Sequence, residues 1–185
     1  MNINMTIQKT FAMIKPDAVR RGLIGKIISR IEEDGFEIVQ MRKCRLSSGF
    51  AAKLYRDTEN QLTNMGKKTI ESMTNAGKKE EIRTRFGSED PYQIGKELLK
   101  WARDFMTSSD VVPMILRRED AVKRLRQLVG KTDPAAADKG TIRGDFADDS
   151  ISAANSEGRA VRNLIHASDE EGYETEISLF EREIF

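Results

Sequence analysis

The chain has a single histidine, and its surroundings could make it a nucleophile. His166 lies in the segment Asn-Leu-Ile-His-Ala-Ser-Asp, where a short apolar run gives way to a hydroxyl and a carboxylate. A neutral imidazole can attack phosphorus if a neighbouring group fixes its tautomer. Acidic residues that could do this follow closely, although they could equally form a solvated turn: Asp169, Glu170, Glu171, Glu174 and Glu176. By itself a lone histidine is more often structural than catalytic, and without a second histidine or a cysteine pair it does not indicate zinc.

Groups suited to binding phosphate occur in other segments. Thr132 precedes the run Thr-Ile-Arg-Gly-Asp-Phe, in which Arg143 offers a fork of N–H donors and Gly144 lets the backbone approach a ligand. Arg126 lies on the helix before them. Lys15 ends the first apolar run, a position that often faces a ligand crevice but that also suits a surface cation. An adhesion role for the Arg-Gly-Asp triplet is disfavoured in a cytosolic chain.

The chain lacks the motifs of two common classes of phosphotransferase. The chain has no Walker-type glycine-rich loop, which excludes a P-loop kinase. It has no His-Arg-Asp or Asp-Phe-Gly triplet, which excludes a protein kinase.

Composition limits the partners and the compartment. Lys and Arg number 31 against 30 Asp and Glu, so no global field would hold nucleic acid or an anionic membrane. The 185 residues suit one domain with a core that needs no disulfide. The single Cys44 fits a reducing compartment. Because no run of 18 apolar residues and no signal-peptide pattern occurs, we expect a cytoplasmic protein without a membrane partner.

The hydrophobic pattern predicts alternating strands and helices in one domain, residues 1–185. Strands are predicted at 10–14, 36–46, 111–116 and 175–180, and helices at about 24–31, 48–55, 98–106 and 120–129. Residues from about 56 to 94 are polar with little periodicity and predict a surface insertion that is partly helical or mobile. A loop is predicted at 131–149, and a second insertion at 147–162. The order indicates an α/β or α+β sandwich. Pro113 is awkward within a strand because it removes a ladder donor.

Six motifs, in the same order, closely resemble the nucleoside diphosphate kinase family. They are Thr-Phe-Ala-Met-Ile-Lys-Pro-Asp at 10–17, Arg-Gly-Leu-Ile-Gly at 21–25, Gly-Lys-Thr-Asp-Pro-Ala-Ala at 130–136, Gly-Thr-Ile-Arg-Gly-Asp-Phe at 140–146, Arg-Asn-Leu-Ile-His-Ala-Ser-Asp at 162–169, and Glu-Ile-Ser-Leu-Phe at 176–180. The longer segment between Asp145 and Asn163 makes the chain resemble the long, archaeal members. The resemblance implies a ferredoxin-like, four-stranded antiparallel sheet covered by helices. It also implies a homo-oligomer, expected to be a hexamer, although some bacterial members are tetramers.

The resemblance implies a role for each matching residue. His166 would attack the γ-phosphate of a nucleoside triphosphate through Nδ1 and become phosphohistidine, with Glu176 accepting a hydrogen bond from its ring and Ser168 beside the pair. The phosphate ligands would be Lys15, Arg126, Thr132 and Arg143, with Asn163 on the ribose and Tyr55 at the phosphate end of the pocket. Leu99 stands where the family usually has an aromatic residue that stacks on the base. The cofactor would be Mg²⁺, held mainly by the nucleotide phosphates, with Asp169 near it at most through water.

The function implied is transfer of a γ-phosphate between nucleotides by a ping-pong mechanism, with ATP as donor, to maintain nucleoside triphosphate pools. One alternative is a catalytically silent binding or regulatory module of the same fold. Another is nucleic-acid binding through the pairs Lys67–Lys68 and Lys78–Lys79, although no specific nucleic acid is expected.

Overall fold

A computed structural model describes residues 7–184 as one α/β arrangement. In chain order its elements are β1 (Ile7–Ile14), α1 (Pro16–Arg20), α2 (Ile24–Glu33), β2 (Glu37–Met41), β3 (Cys44–Arg45), α3 (Ser48–Leu54), α4 (Glu59–Asn75), α5 (Glu81–Phe86), α6 (Pro91–Thr107), β4 (Asp110–Glu119), α7 (Ala121–Val129), a 3₁₀ turn (Pro134–Ala136), α8 (Ile142–Phe146), α9 (Ile151–Glu157), β5 (Ile165–Ala167) and α10 (Tyr173–Glu183). None of the helices within 7–184 is long and apolar enough to cross a membrane.

The central sheet has the strand order β2-β4-β1-β5, with every pairing antiparallel. The short strand β3 pairs with the beginning of β4. Helices cover both faces, so the predicted four-stranded antiparallel sheet of ferredoxin-like type is confirmed. Strand β1 lies inside the sheet, and this explains why its sequence from Thr10 to Ile14 is continuously apolar or buried rather than alternating.

Alternate residues of β1 belong to two separate cores. Ala12 and Ile14 pack with α2 and α7 on one face. Phe11 and Met13 pack with α3 and α10 on the other. The site strand β5 is paired only to β1 in the described sheet, so both cores fix its position through β1.

The predicted last strand at 175–180 is wrong, because this segment lies inside helix α10. Ile177, Phe180 and Ile184 follow a helical spacing and pack on the second core. A segment of only six residues that mixes apolar and polar side chains fits both the β-strand period and the α-helix period, so the hydrophobic pattern could not distinguish the two. The actual last strand is β5, which contains His166.

The predicted strand at 36–46 is two strands, β2 and β3, and the break between them accounts for Pro113. Pairing of β2 with β4 ends at Met41, and pairing of β3 begins at Cys44. The Pro113 carbonyl accepts from the backbone nitrogen of Arg42 at 3.1 Å. In an antiparallel strand the N–H and C=O of one residue point to the same side. The backbone N–H that Pro113 lacks would therefore point toward the break between β2 and β3, so no hydrogen bond to β1 is lost.

The segment predicted as an insertion at 56–94 contains two helices and the start of a third. Its polar composition concealed α4 because the buried face of that helix alternates apolar Leu62 and Met73 with the small Gly66 and the polar Thr69. Helix α6 begins at Pro91, earlier than predicted, with the side chain of Asp90 capping it. The loop predicted at 131–149 likewise contains the 3₁₀ turn and α8, and the second insertion contains α9.

Candidate active site

His166 lies at the centre of β5, opposite Met13 of β1, with its side chain 20% exposed. The ring centroids of Phe11 and Tyr55 are 5.9 and 6.1 Å from that of the imidazole. The strand and these two rings restrict the orientation of the imidazole, while one edge of it stays accessible.

Glu176 fixes the tautomer of His166. Nε2 of the histidine lies 2.8 Å from Oε2 of Glu176, which comes from the first turns of α10. Burial raises the pKa of the Glu176 carboxyl, but attraction to His166 and hydrogen bonds from His166 and Ser168 outweigh it and lower the pKa overall. A carboxylate can only accept, so Nε2 holds the proton, and in the neutral imidazole Nδ1 then keeps its lone pair. The arrangement therefore presents Nδ1 as a nucleophile.

Ser168 shares this carboxylate. Its Oγ contacts Oε2 of Glu176 and lies 3.1 Å from the carbonyl of Phe11. A hydroxyl has one hydrogen to donate, so it can satisfy one of these acceptors at a time. The side chain is 1% exposed, which protects the His166–Glu176 pair from water on that side.

Arg143 connects three backbone carbonyls around the histidine. Its Nε, Nη1 and Nη2 donate to the carbonyls of Asn163 (3.1 Å), Gly130 (2.9 Å) and Ile165 (2.7 Å). A guanidinium has five N–H groups, so two remain beyond these bonds. Burial, then repulsion from Arg126, lowers the pKa of Arg143 to about 10, so it stays charged at neutral pH. Arg143 can thus bind an anion and shape the site at once.

Lys15, Asn163 and Thr132 form a hydrogen-bonded series. Nζ of Lys15 donates to Oδ1 of Asn163 at 2.8 Å, and Nδ2 of Asn163 donates to the carbonyl of Thr132 at 2.8 Å. Burial and the charge of Arg143 lower the pKa of Lys15 to about 8. Excess positive charge with partial burial favours an anionic ligand, which would reverse that shift.

Leu164 has an unusual backbone conformation two residues before His166. Its φ is 70°, and the nitrogen of Ile165 donates to the carbonyl of Asn163 at 2.8 Å, which closes a three-residue turn. Such a turn with positive φ at a leucine is strained. The Leu164 nitrogen donates to Oδ2 of Asp17 at 3.0 Å, and the Leu164 carbonyl accepts from the Lys15 nitrogen at 2.8 Å.

Asp17 is the site residue that sequence reasoning missed. It is 3% exposed, and its Oδ1 has no partner within the described structure. The available signal was a carboxylate placed directly after Pro16, between a buried strand and the buried Ala18.

The other predicted site residues lie at different distances from this centre. Tyr55 packs edge-on against His166, and Arg103 fixes its carbonyl through Nε at 3.0 Å. Burial, together with the charge of Glu176, raises the pKa of the Tyr55 phenol, so it stays protonated. Arg126 on α7 lies close enough to affect the pKa of Arg143. Leu99 is 5% exposed and lies one helical turn before Arg103, and its contact with a base stays a prediction.

No group of three or more His, Cys, Asp or Glu side chains able to hold a metal occurs among residues 7–184. Asp169 is exposed, and its Oδ1 accepts from the Gly172 nitrogen at 2.8 Å. The Asp169 carboxylate could contribute one oxygen ligand to a divalent cation.

Comparison with known proteins gives a consistent result over almost the whole chain. The model of the family described as nucleoside diphosphate kinase matches residues 8–78 and 88–184. The nucleoside diphosphate kinase of Pyrobaculum aerophilum is 40% identical over 165 residues, 89% of each chain. The crystal structure of an NDP kinase from the same organism superimposes with a TM-score of 0.88 at 38% identity, covering 97% of this chain and 98% of that one.

A solved nucleoside-diphosphate kinase from Borrelia burgdorferi is also similar, with a TM-score of 0.73 at 29% identity over 96% of this chain and 88% of that one. It is a transition-state mimic with bound vanadate and ADP.

Proposed function

This chain belongs to the nucleoside diphosphate kinase family and is an enzyme that transfers the γ-phosphate of a nucleoside triphosphate to a nucleoside diphosphate, and from that premise we propose that His166 is the phosphoryl carrier. The observation that supports His166 most directly is the contact of its Nε2 with Glu176, which leaves Nδ1 available for attack. The alternative of a silent module has no support from the relatives, which are named as kinases.

The proposed transfer takes two displacements. Nδ1 of His166 forms a bond to the γ-phosphorus, the bond from that phosphorus to the bridging oxygen breaks, and the nucleoside diphosphate leaves with the electron pair. Phosphorylation makes the ring cationic while Nε2 keeps its proton, and the Glu176 carboxylate stabilises that charge at 2.8 Å. A terminal phosphate oxygen of a second nucleoside diphosphate then attacks the same phosphorus, and Nδ1 leaves. This sequence gives ping-pong kinetics.

The cationic side chains would supply positioning and charge compensation, which dominate phosphoryl transfer. The two remaining N–H groups of Arg143 would donate to phosphate oxygens, assisted by Arg126 and the Thr132 hydroxyl. Lys15 and Asn163, already bonded to each other, would contact the ribose and the phosphates. Tyr55 would line the phosphate end, and Leu99 would give the base an apolar surface.

The divalent metal that a kinase of this family needs would be Mg²⁺. It would be held mainly by the nucleotide phosphates and would supply positive charge that offsets the negative charge of the transferring group. Asp169, exposed beside the start of α10, would reach it at most through a water molecule.

We also propose a cytoplasmic homo-oligomer, a hexamer, that uses ATP as donor and consists of one domain with insertions at about 56–94 and 147–162. Light scattering on the full chain tests the oligomeric state. Nucleic-acid binding through the lysine pairs is not expected, and Lys78 already donates to Ser156 at 3.1 Å.

Incubation with [γ-³²P]ATP tests the carrier. The wild-type chain should acquire an acid-labile, alkali-stable label that a nucleoside diphosphate removes, and His166→Ala should acquire none. Equal labelling of both proteins would overturn the assignment of His166.

A further inference from the structure

Within the segment 56–94, helix α4 packs closely against α6, which begins in the same segment and continues beyond it. A Cβ placed on Gly66 of α4 would meet the carbonyl oxygen of Pro91 at 2.0 Å, and one on Gly95 of α6 would meet that of Leu62 at 2.1 Å. These two glycines let the helix backbones touch. Met73 and the residues around it form a small core of their own. Helix α4 is therefore a fixed element and not a mobile excursion.

The two predicted insertions also pack on each other. Thr69 of α4 and Asn155 of α9 are both 2% exposed, and the Asn155 amide donates to the Thr69 hydroxyl at 3.3 Å. Nearer the end of α4, Ser156 accepts from Lys78 at 3.1 Å and donates to Glu81 at 3.1 Å.

One carboxylate, that of Asp133, joins both insertions to the loop that contains Thr132 and the 3₁₀ turn. Oδ2 of Asp133 accepts from the Ser72 hydroxyl on α4 at 2.6 Å. Its Oδ1 accepts from the Ile151 nitrogen at the start of α9 (3.1 Å) and from the Ala135 nitrogen in the 3₁₀ turn (3.2 Å). Asp133 thus fixes three segments, and it directly follows Thr132.

The series continues from this loop to the site. The carbonyl of Thr132 accepts from Asn163, and Asn163 accepts from Lys15, both at 2.8 Å. An unbroken path of bonds and one peptide link therefore runs from Ser72 to the ammonium group of Lys15. His166 on β5, Ser168 just after β5 and Glu176 on α10 are outside this path.

From this path we propose that Ser72 and Asp133 are positioning residues, through which the insertion holds Thr132 and Asn163 in the geometry that binds a nucleotide. The inference rests on the proposed roles of Thr132, Asn163 and Lys15. Loss of the Ser72 hydroxyl should weaken nucleotide binding and leave the chemical step at saturation unchanged. If Ser72 had a merely structural role, its loss would lower the stability of the fold and would not weaken nucleotide binding selectively while the saturating rate stayed unchanged.

The test compares Ser72→Ala with two matched variants of the full chain. Alanine is the best helix former, so α4 should persist. Ser72→Thr keeps a hydroxyl, and Ser156→Ala removes a hydroxyl that joins the insertions outside the path. Calorimetry gives the dissociation constant of ADP, and rapid quench gives the rate of His166 phosphorylation at saturating ATP.

Ser72→Ala should weaken ADP binding roughly three- to tenfold, as loss of one bond to a charged group allows, with the saturating rate within about twofold of wild type. Ser72→Thr should restore binding, and Ser156→Ala should bind as wild type. An unchanged dissociation constant for Ser72→Ala, a failure of Ser72→Thr to restore it, or an equal loss in Ser156→Ala overturns the proposal. Failure of the proposed function is distinguishable, because the wild-type chain would then acquire no label on His166.

Discussion

Asp17 and Leu164 are joined by a buried hydrogen bond of 3.0 Å, from the Leu164 nitrogen to Oδ2 of Asp17. Leu164 is fully buried and has a φ of 70°, in a turn that leads directly into the strand of His166. A leucine at positive φ costs about 1–3 kcal/mol and persists only where the surroundings compel it. Asp17 supplies part of that compulsion and thereby sets the direction of β5.

Asp17→Ala should lower kcat about tenfold to a hundredfold, because a small misplacement of the nucleophile has effects of this order. It should also lower the free energy of unfolding by about 1–3 kcal/mol, since the Leu164 nitrogen would be buried without an acceptor. Steady-state kinetics and urea denaturation measure the two effects. Asp17→Asn keeps an acceptor oxygen and should retain most of the activity. If Asp17→Ala has the kcat of wild type, the turn does not position His166.

Glu176→Gln should lower kcat, because it removes about 1.5–3 kcal/mol of transition-state stabilisation, the value of a hydrogen bond to a charged group. The amide can still accept from Nε2 of His166, so the tautomer survives while compensation of the ring charge is lost. Single-turnover phosphorylation by ATP measures the effect. Glu174→Gln, an exposed change on the same helix, is the control and should match wild type. Equal rates for both variants would show that the charge of Glu176 is not used.

Nucleotide binding should take up a proton at Lys15 above pH 8. Burial, then the charge of Arg143, lowers the pKa of Lys15 to about 8 in the nucleotide-free protein, and bound phosphate must raise it. Affinity for ADP should therefore be constant below pH 8 and fall as pH rises above it, until the pKa of the complex is reached. Calorimetry at pH 9 in buffers of different ionisation enthalpy should show uptake approaching one proton, against almost none at pH 7. Lys15→Arg should abolish the difference.

Arg143→Lys should lose stability as well as activity. The guanidinium donates to the carbonyls of Gly130, Asn163 and Ile165, and one ammonium group cannot reproduce that fork. We expect a loss of about 3 kcal/mol in the free energy of unfolding, from carbonyls left unpaired. Arg126→Lys, which lies on the surface of α7, should lower activity with little change in stability. Denaturant titration of both variants distinguishes a site-shaping arginine from one that only binds phosphate.

The sequence alone predicts the pairing of His166 with Glu176, because the order of the family's motifs identifies both residues. The prediction that Glu176 lies on a strand was wrong, since it lies on helix α10. The contact of Lys15 with Asn163 joins residues 148 positions apart. The order of motifs assigned both residues to one site but did not predict the bond between them. The role of Asp17 could not be predicted, since positive φ at a leucine leaves no trace in composition or periodicity. Such strain depends on tertiary contacts that no local pattern records.

The helices between residues 56 and 94 show a second limit of sequence reasoning. Gly66 lies on the buried face of α4, and a glycine there weakens the hydrophobic pattern that predicts a helix. Its missing side chain nevertheless allows the close contact of α4 with α6. At this position the fold requires close approach of two backbones and not burial of apolar area.

Gly66→Ala therefore should destabilise the protein, although alanine is intrinsically the better helix former. The added Cβ would lie 2.0 Å from the carbonyl oxygen of Pro91, a backbone atom that cannot move aside alone, so α4 must shift from α6. Overpacking of this kind costs about 1–3 kcal/mol. Gly25→Ala is the matched control, because Gly25 lies in α2 with no atom within 4 Å of the added Cβ. That variant should be more stable by about 0.5–1 kcal/mol. Thermal unfolding of the two variants should thus give shifts of opposite sign, and a stabilised Gly66→Ala would show that α4 and α6 are not in backbone contact.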